Sequence, residues 1–163
     1  MWPDMRKWLG LALLVIILDQ LTKALVTARF QLGDALTITP FFDLVFVFNR
    51  GAAFSFLADA GGWQRWFFVA LACTICTWLF FMLRQHAQEK LMPLAIALIM
   101  GGAIGNVIDR FVHGAVVDFL SFHLGGHYWP AFNVADSCIV VGVGIVLILS
   151  FIEDRQKAKA RKA

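Results

Sequence analysis

Two aspartates carry the most pointed chemistry in this chain. Asp136 lies just inside an apolar run that begins at Val134, and Asp118 lies in the connection leading to that run. Two carboxyls brought face to face cannot both ionise cheaply, so they share one proton and titrate as a unit. The ionised member takes a proton from water, and the protonated member polarises a peptide carbonyl. That is the chemistry of an aspartic peptidase, which needs neither a covalent intermediate nor a metal.

Other polar residues gather near them. Asp19 and Lys23 are four apart with the acid first, an order that favours an ion pair on one helix face. Asn106, Asp109 and Arg110 close a second apolar run, and Asn133 stands just before Val134. An arginine and amide side chains beside a carboxyl pair can orient a peptide main chain, because an amide both donates and accepts. Plainer readings stand beside these. Asp19 with Lys23 serves equally as a structural pair, and Asp109 with Arg110 as an interfacial helix end. Asp136 could cap a helix, although Asn133 suits that position better. His113, His123 and His127 lack metal-ligand spacing, so no metal or other cofactor is expected. Ser55, Ser121 and Ser137 have no His or Lys partner for nucleophilic work. Cys73, Cys76 and Cys138 sit in apolar runs and read as small buried residues.

The elements that must hold these residues are set by composition. Of 163 residues, 60% are hydrophobic and 15% charged, and mean hydropathy is +0.75. Soluble domains run near half apolar and a quarter charged, so a soluble domain and a disordered chain are both excluded. A net charge of +3 is too small to argue for a nucleic-acid partner. Nearly uncharged runs predict four transmembrane helices near 8–28, 66–84, 91–108 and 134–152, since eighteen helical residues rise about 27 Å. The glycines Gly101, Gly102 and Gly105 read as close helix packing. The fold class is thus a mainly α membrane protein in one domain spanning 1–163, four transmembrane helices with a small β-sheet and an interfacial segment on the outer side.

Basic residues set the orientation. Arg6, Lys7, Arg84, Lys90 and the five basic residues of a tail at 153–163 fall on one side of this plan, nine of the chain's 14. The positive-inside rule makes that side, with both termini, cytoplasmic. The outer connections, 29–65 and 109–133, are long enough to carry structure of their own. In the first, Leu36 to Thr39 and the run Asp43 to Asn49 are rich in β-branched and aromatic residues, and predict two or three short strands on the membrane surface. Asp19, Lys23, Asn106, Asp109, Arg110, Asn133 and Asp136 then share one depth near the outer interface, with Asp118 beside them. Ionisable groups in membrane helices are costly and usually functional.

Five blocks match a known family: Asp19-Gln20-Leu21-Thr22-Lys23, Asn49-Arg50-Gly51-Ala52-Ala53-Phe54-Ser55, Gly101 to Arg110, Val116-Val117-Asp118-Phe119, and Phe132-Asn133-Val134-Ala135-Asp136-Ser137. Together, in this order, they resemble signal peptidase II, the bacterial lipoprotein signal peptidases. The resemblance implies an aspartic endopeptidase of the bacterial inner membrane, with four transmembrane helices, a small outer sheet and cytoplasmic termini. The implied substrate is a diacylglyceryl-modified prolipoprotein, cut just before its lipidated cysteine. By motif position Asp118 and Asp136 are the catalytic pair, Asn49, Asn106, Arg110 and Asn133 line the pocket, and Asp19 with Lys23 supports it. The family is also the target of globomycin. Membrane lipids are the remaining expected partner, and the chain is expected to act as a monomer. Two other classes compete: a proton-coupled transporter, which would prefer acids spread across the bilayer, and a non-catalytic assembly factor.

Overall fold

The structure, a computed structural model, describes residues 5–51 and 61–160. Its elements run α1 (Arg6–Arg29), β1 (Ala35–Thr39), β2 (Phe42–Asn49), α2 (Gln64–His86), α3 (Leu91–Val112), β3 (Val116–Leu124), β4 (His127–Tyr128) and α4 (Val134–Ala160). All four helices are long and apolar enough to cross a membrane. Leu13, Leu21, Trp78 and Leu147 face outward and are exposed, which is the expected surface of a helix solvated by lipid tails.

α3 is the central helix and packs against the other three. Its small residues allow this. A Cβ on Gly101 would lie 2.7 Å from the Ala12 carbonyl oxygen of α1, and one on Gly102 would strike the Ala135 carbonyl of α4. Gly105 leaves room for the Asp19 carboxylate. Backbones approach this closely in membrane bundles only where side chains are missing. The packing expected of these glycines is therefore present, and it brings α1 and α4 onto neighbouring faces of α3, where they also touch each other.

The four strands form one antiparallel sheet in the order β1-β2-β3-β4. The first outer connection supplies β1 and β2, within the expected two or three strands. The longest strand, β3, comes from the second connection, where no strand was predicted. β3 pairs with β2, setting Val47 opposite Asp118 and Asn49 opposite Val116. Side chains alternate along a strand. Val117 and Phe119 therefore enter an apolar cluster with Val26 and Phe46, while Asp118 points to the other face. A second cluster of Met5, Leu79, Leu83, Ala87, Ile96 and Met100 closes the opposite end of the bundle.

Two helix ends lie beyond their predicted positions. α3 continues past 108 to Val112, so Asp109 and Arg110 belong to the helix and not to the connection. α4 continues past 152 to Ala160, so most of the expected tail is helical. Hydropathy marks the apolar length of a helix, not its hydrogen-bonded length. Beyond the apolar stretch, α4 carries a Glu153–Lys157 pair at 3.7 Å, spaced for one helix face. Of the block at 49–55, residues 52–55 lie outside the described residues.

Candidate active site

Two interlocked layers of polar side chains meet where α1, α3, β3 and the start of α4 converge. The deeper layer is centred on Lys23, which is almost wholly buried. Its Nζ lies 2.8 Å from Asp19 Oδ2 and 2.8 Å from Asp109 Oδ2, and it donates to Asn106 Oδ1 at 2.9 Å. An ammonium has three donors, and all three are used. Asp19 Oδ1 accepts from the Ala135 backbone N–H at 2.9 Å, and Asp109 Oδ2 accepts from the Val117 N–H at 3.0 Å. The two acids thereby fasten α4 and β3 to the helices beneath them. Burying a carboxylate is costly unless it is paired and fully hydrogen-bonded, and both conditions are met.

The upper layer holds the two candidate carboxyls. Asp118 accepts from Asn133 Nδ2 at 2.7 Å and from Asn49 Nδ2 at 3.1 Å. Asp136 accepts from Asn106 Nδ2 at 2.8 Å and from the Asn133 backbone N–H at 3.3 Å. The Asp136 N–H in turn donates to Asn133 Oδ1 at 2.9 Å. This is a reciprocal capping arrangement of the kind normally made with Glu or Gln at the third helical position. The expected cap, Asn133, is therefore in place, and Asp136 takes part in it while keeping its carboxylate at the site. Asn133 is the shared clamp, holding Asp136 through its backbone and Asp118 through its amide.

Asp118 lies on β3, outside the helices, and its carboxyl is pushed up to about 7. Burial is the main cause and the neighbouring charge of Asp136 the second, opposed by the two amide donors and by Lys23. A carboxyl in that range is largely protonated at mildly acidic pH while still able to lose its proton near neutrality.

Both carboxyls line a cavity of about 950 Å³, with Asn49, Asn106 and Arg110 beside them. Its other walls are mostly apolar, with Trp129, Phe132, Ile139 and Val140 among them. Arg110 lies over the Phe68 ring at 5.0 Å. It donates to the Asn106 carbonyl at 3.2 Å and to the Gly51 carbonyl at 3.0 Å. Its Nε is buried with no hydrogen-bond partner among the described residues.

Every site residue named from the sequence is thus in one connected assembly: Asp118, Asp136, Asn49, Asn106, Arg110 and Asn133 at the cavity, Asp19 and Lys23 beneath it. Two contributors were undervalued. Asp109, read equally as a helix end, is an ion-pair partner of Lys23. Gln20 was not singled out; its Nε2 donates to Asp109 Oδ1 at 2.8 Å and to the Gly105 carbonyl at 3.1 Å. The signal for Gln20 was its place beside Asp19 on a helix that had to pack on glycines. Among the described residues, no three His, Cys, Asp or Glu side chains gather in a way that could hold a metal ion.

Comparison with known proteins agrees with this geometry. The family model for signal peptidase (SPase) II matches residues 11–152. A lipoprotein signal peptidase of Azoarcus sp. (strain BH72) is 58% identical over 156 residues, covering 96% of this chain and 89% of that one. One of Paraburkholderia phymatum is 55% identical, covering 88% of this chain and 87% of that one. Among solved structures, a bacterial membrane enzyme determined by the in meso method at 2.3 Å superposes with a TM-score of 0.83 at 30% identity, covering 96% of this chain and 95% of that one.

Proposed function

The chain belongs to the signal peptidase (SPase) II family, multi-pass membrane proteases that act on prolipoproteins, and from that premise we propose that it cleaves by an aspartic dyad of Asp118 and Asp136. The observation that carries the reading is the clamp: one side chain, Asn133, holds both carboxyls at the wall of a large, mostly apolar cavity.

The chemistry follows from the two environments. Asp118 holds the proton at mildly acidic to neutral pH, and Asp136 is ionised at the first turn of a long helix, where the positive end of the dipole favours a negative charge. Asp136 takes a proton from water as the water oxygen bonds to the scissile carbonyl carbon. Asp118 gives its proton to the carbonyl oxygen, which yields a tetrahedral diol. Asp136 then protonates the leaving nitrogen, the C–N bond breaks, and Asp118 recovers a proton from the diol. The products are the carboxyl end of the signal peptide and the free amino group of the mature protein, with no covalent intermediate. The unpaired Arg110 Nε and the amides of Asn49 and Asn106 are the groups suited to hold the substrate main chain.

The finer assignments belong to the same reading. The substrate cysteine carries diacylglycerol, the cut falls just before it, and the apolar walls of the cavity suit such an amphiphile. The enzyme lies in the bacterial inner membrane as a monomer surrounded by lipid, with both termini cytoplasmic and the dyad near the outer interface. Globomycin is the expected inhibitor. The deciding experiment is a mobility-shift assay of a diacylglyceryl-modified precursor with purified protein. Asp118→Asn and Asp136→Asn should each abolish cleavage while leaving the fold intact. Full activity in either variant sinks the dyad.

A further inference from the structure

Three amides aim an N–H at the dyad, and an amide can do so only if something holds its oxygen on the other side. Asn49 Oδ1 accepts from the Gly51 backbone N–H at 3.0 Å. Asn133 Oδ1 accepts from the Asp136 backbone N–H at 2.9 Å. These anchors are main chain and cannot be removed by a change of side chain. Asn106 differs. Its Oδ1 faces Lys23 Nζ at 2.9 Å and, among the described residues, otherwise only Asn133 Nδ2 at 3.3 Å, a group shared with Asp118 and the Val117 carbonyl. An ammonium donates and never accepts, so beside Lys23 the Asn106 amide has one stable direction, oxygen toward Lys23 and nitrogen toward Asp136.

We propose that Lys23 is a positioning residue for the reaction: by capturing Asn106 Oδ1 it keeps the Nδ2 donor on Asp136, and so keeps Asp136 as the proton acceptor of the pair. Without Lys23 the amide is free to turn over. Its oxygen would then face a carboxylate oxygen, an arrangement tolerated only when Asp136 carries a proton, and a protonated Asp136 cannot take one from water. The inference rests on the dyad reading given above.

The charges around Asp136 allow this. Lys23 and Asp19 approach from α1, Arg110 from α3, and Asp118 from β3. Lys23 lies between Asp19 and Asp109, so the two acids occupy two of its donors and leave the third for Asn106. A lysine serving only to neutralise those acids would have no need to reach the amide.

The test is a double-mutant cycle on the pH–rate profile, using purified full-length protein and a diacylglyceryl-modified precursor. Lys23→Met and Asn106→Leu should each move the acidic limb of the kcat profile upward by about one to two pH units, with KM little changed in Lys23→Met, because each takes the same donor away from a charged group. In the Asn106→Leu background, Lys23→Met should add clearly less than its shift in the parent chain, since the route through the amide is already gone and only the direct attraction of the Lys23 charge for Asp136 remains. An unshifted limb in folded Lys23→Met, or a shift from Lys23→Met in the Asn106→Leu background as large as in the parent chain, overturns the proposal. Lys23→Met leaves two buried acids without their cation and so risks misfolding. Asn106→Leu keeps that cluster whole, and an unshifted limb in this variant alone also overturns the proposal. Failure of the dyad itself reads out separately, as retained cleavage by Asp136→Asn.

Discussion

Gly102→Ala adds a single methyl group at a residue that does not itself line the cavity, yet it should disable the site more than it destabilises the fold. The Cβ would strike the Ala135 carbonyl and would lie 2.9 Å from Ile139 Cγ1 and 3.1 Å from the Ala135 carbonyl carbon. Carbon atoms pack at about 3.5–4.0 Å, so α4 must withdraw by about 0.5–1 Å. Ile139 can turn aside, but the Ala135 backbone cannot, and Ala135 N–H is bonded on its other side to Asp19. The residues carried with it are Asn133 and Asp136. A withdrawal of that size stretches the 2.8 Å bond from Asn106 to Asp136 and the 2.7 Å bond from Asn133 to Asp118 toward the limit of hydrogen bonding. Misplacing reacting groups by about 1 Å costs about a hundredfold in rate. In stability, overpacking costs about 1–3 kcal/mol, and alanine in place of glycine inside a helix returns about 1 kcal/mol. The expected outcome is a fall of about a hundredfold in kcat for a lipidated precursor, with a modest fall in Tm measured in the same detergent. Gly144→Ala, whose methyl meets nothing within 4 Å, is the matched control and should keep full activity. Gly102→Ala retaining activity within about threefold of the parent chain refutes the claim that this contact sets the position of Asp136.

How far the sequence showed this site depends on the kind of signal each residue left. Asp19, Lys23, Asn106, Asp109, Arg110 and Asp136 were visible because a polar group in an apolar run is costly and breaks a clear pattern. Asp118 was visible only as an acid near the start of α4. Its strand was hidden, because β3 is made by pairing with β2, an element some seventy residues earlier in the chain, and short-range periodicity does not carry such pairings. The helix ends were hidden for a related reason: charged residues stop a hydropathy run without stopping a helix. For Asp136 the plain reading and the functional one were posed as rivals, and the geometry shows a single residue doing both. Its backbone and one carboxylate oxygen complete the cap with Asn133, and this cap is what fixes the other oxygen against Asn106. The directions of the three amides were not legible at all, since they depend on which atom of each neighbour is nearest.

Three further outcomes follow from the site. Arg110→Lys should lower kcat/KM by about tenfold or more, because a single ammonium cannot replace a guanidinium bonded to both the Asn106 and Gly51 carbonyls; activity within twofold would show that this bridge is dispensable. Cleavage should be unchanged after exhaustive treatment with EDTA, and a loss restored by added metal would point to a metallopeptidase instead. The third concerns pH. Asp118 is raised from its ordinary 3.8 to about 7, chiefly by burial and then by the charge of Asp136. Between those values the folded protein holds a proton that the unfolded chain has lost, so the contribution of this carboxyl to stability is full below about pH 4 and declines as pH rises toward 7. The same proton is the one donated to the scissile carbonyl, so kcat should decline above about pH 7 as it is lost. Asp118→Asn should flatten this part of the dependence of Tm on pH, since an amide has no proton to lose over that interval. A Tm that falls just as steeply between pH 5 and pH 8 in Asp118→Asn would show that the titrating group lies elsewhere.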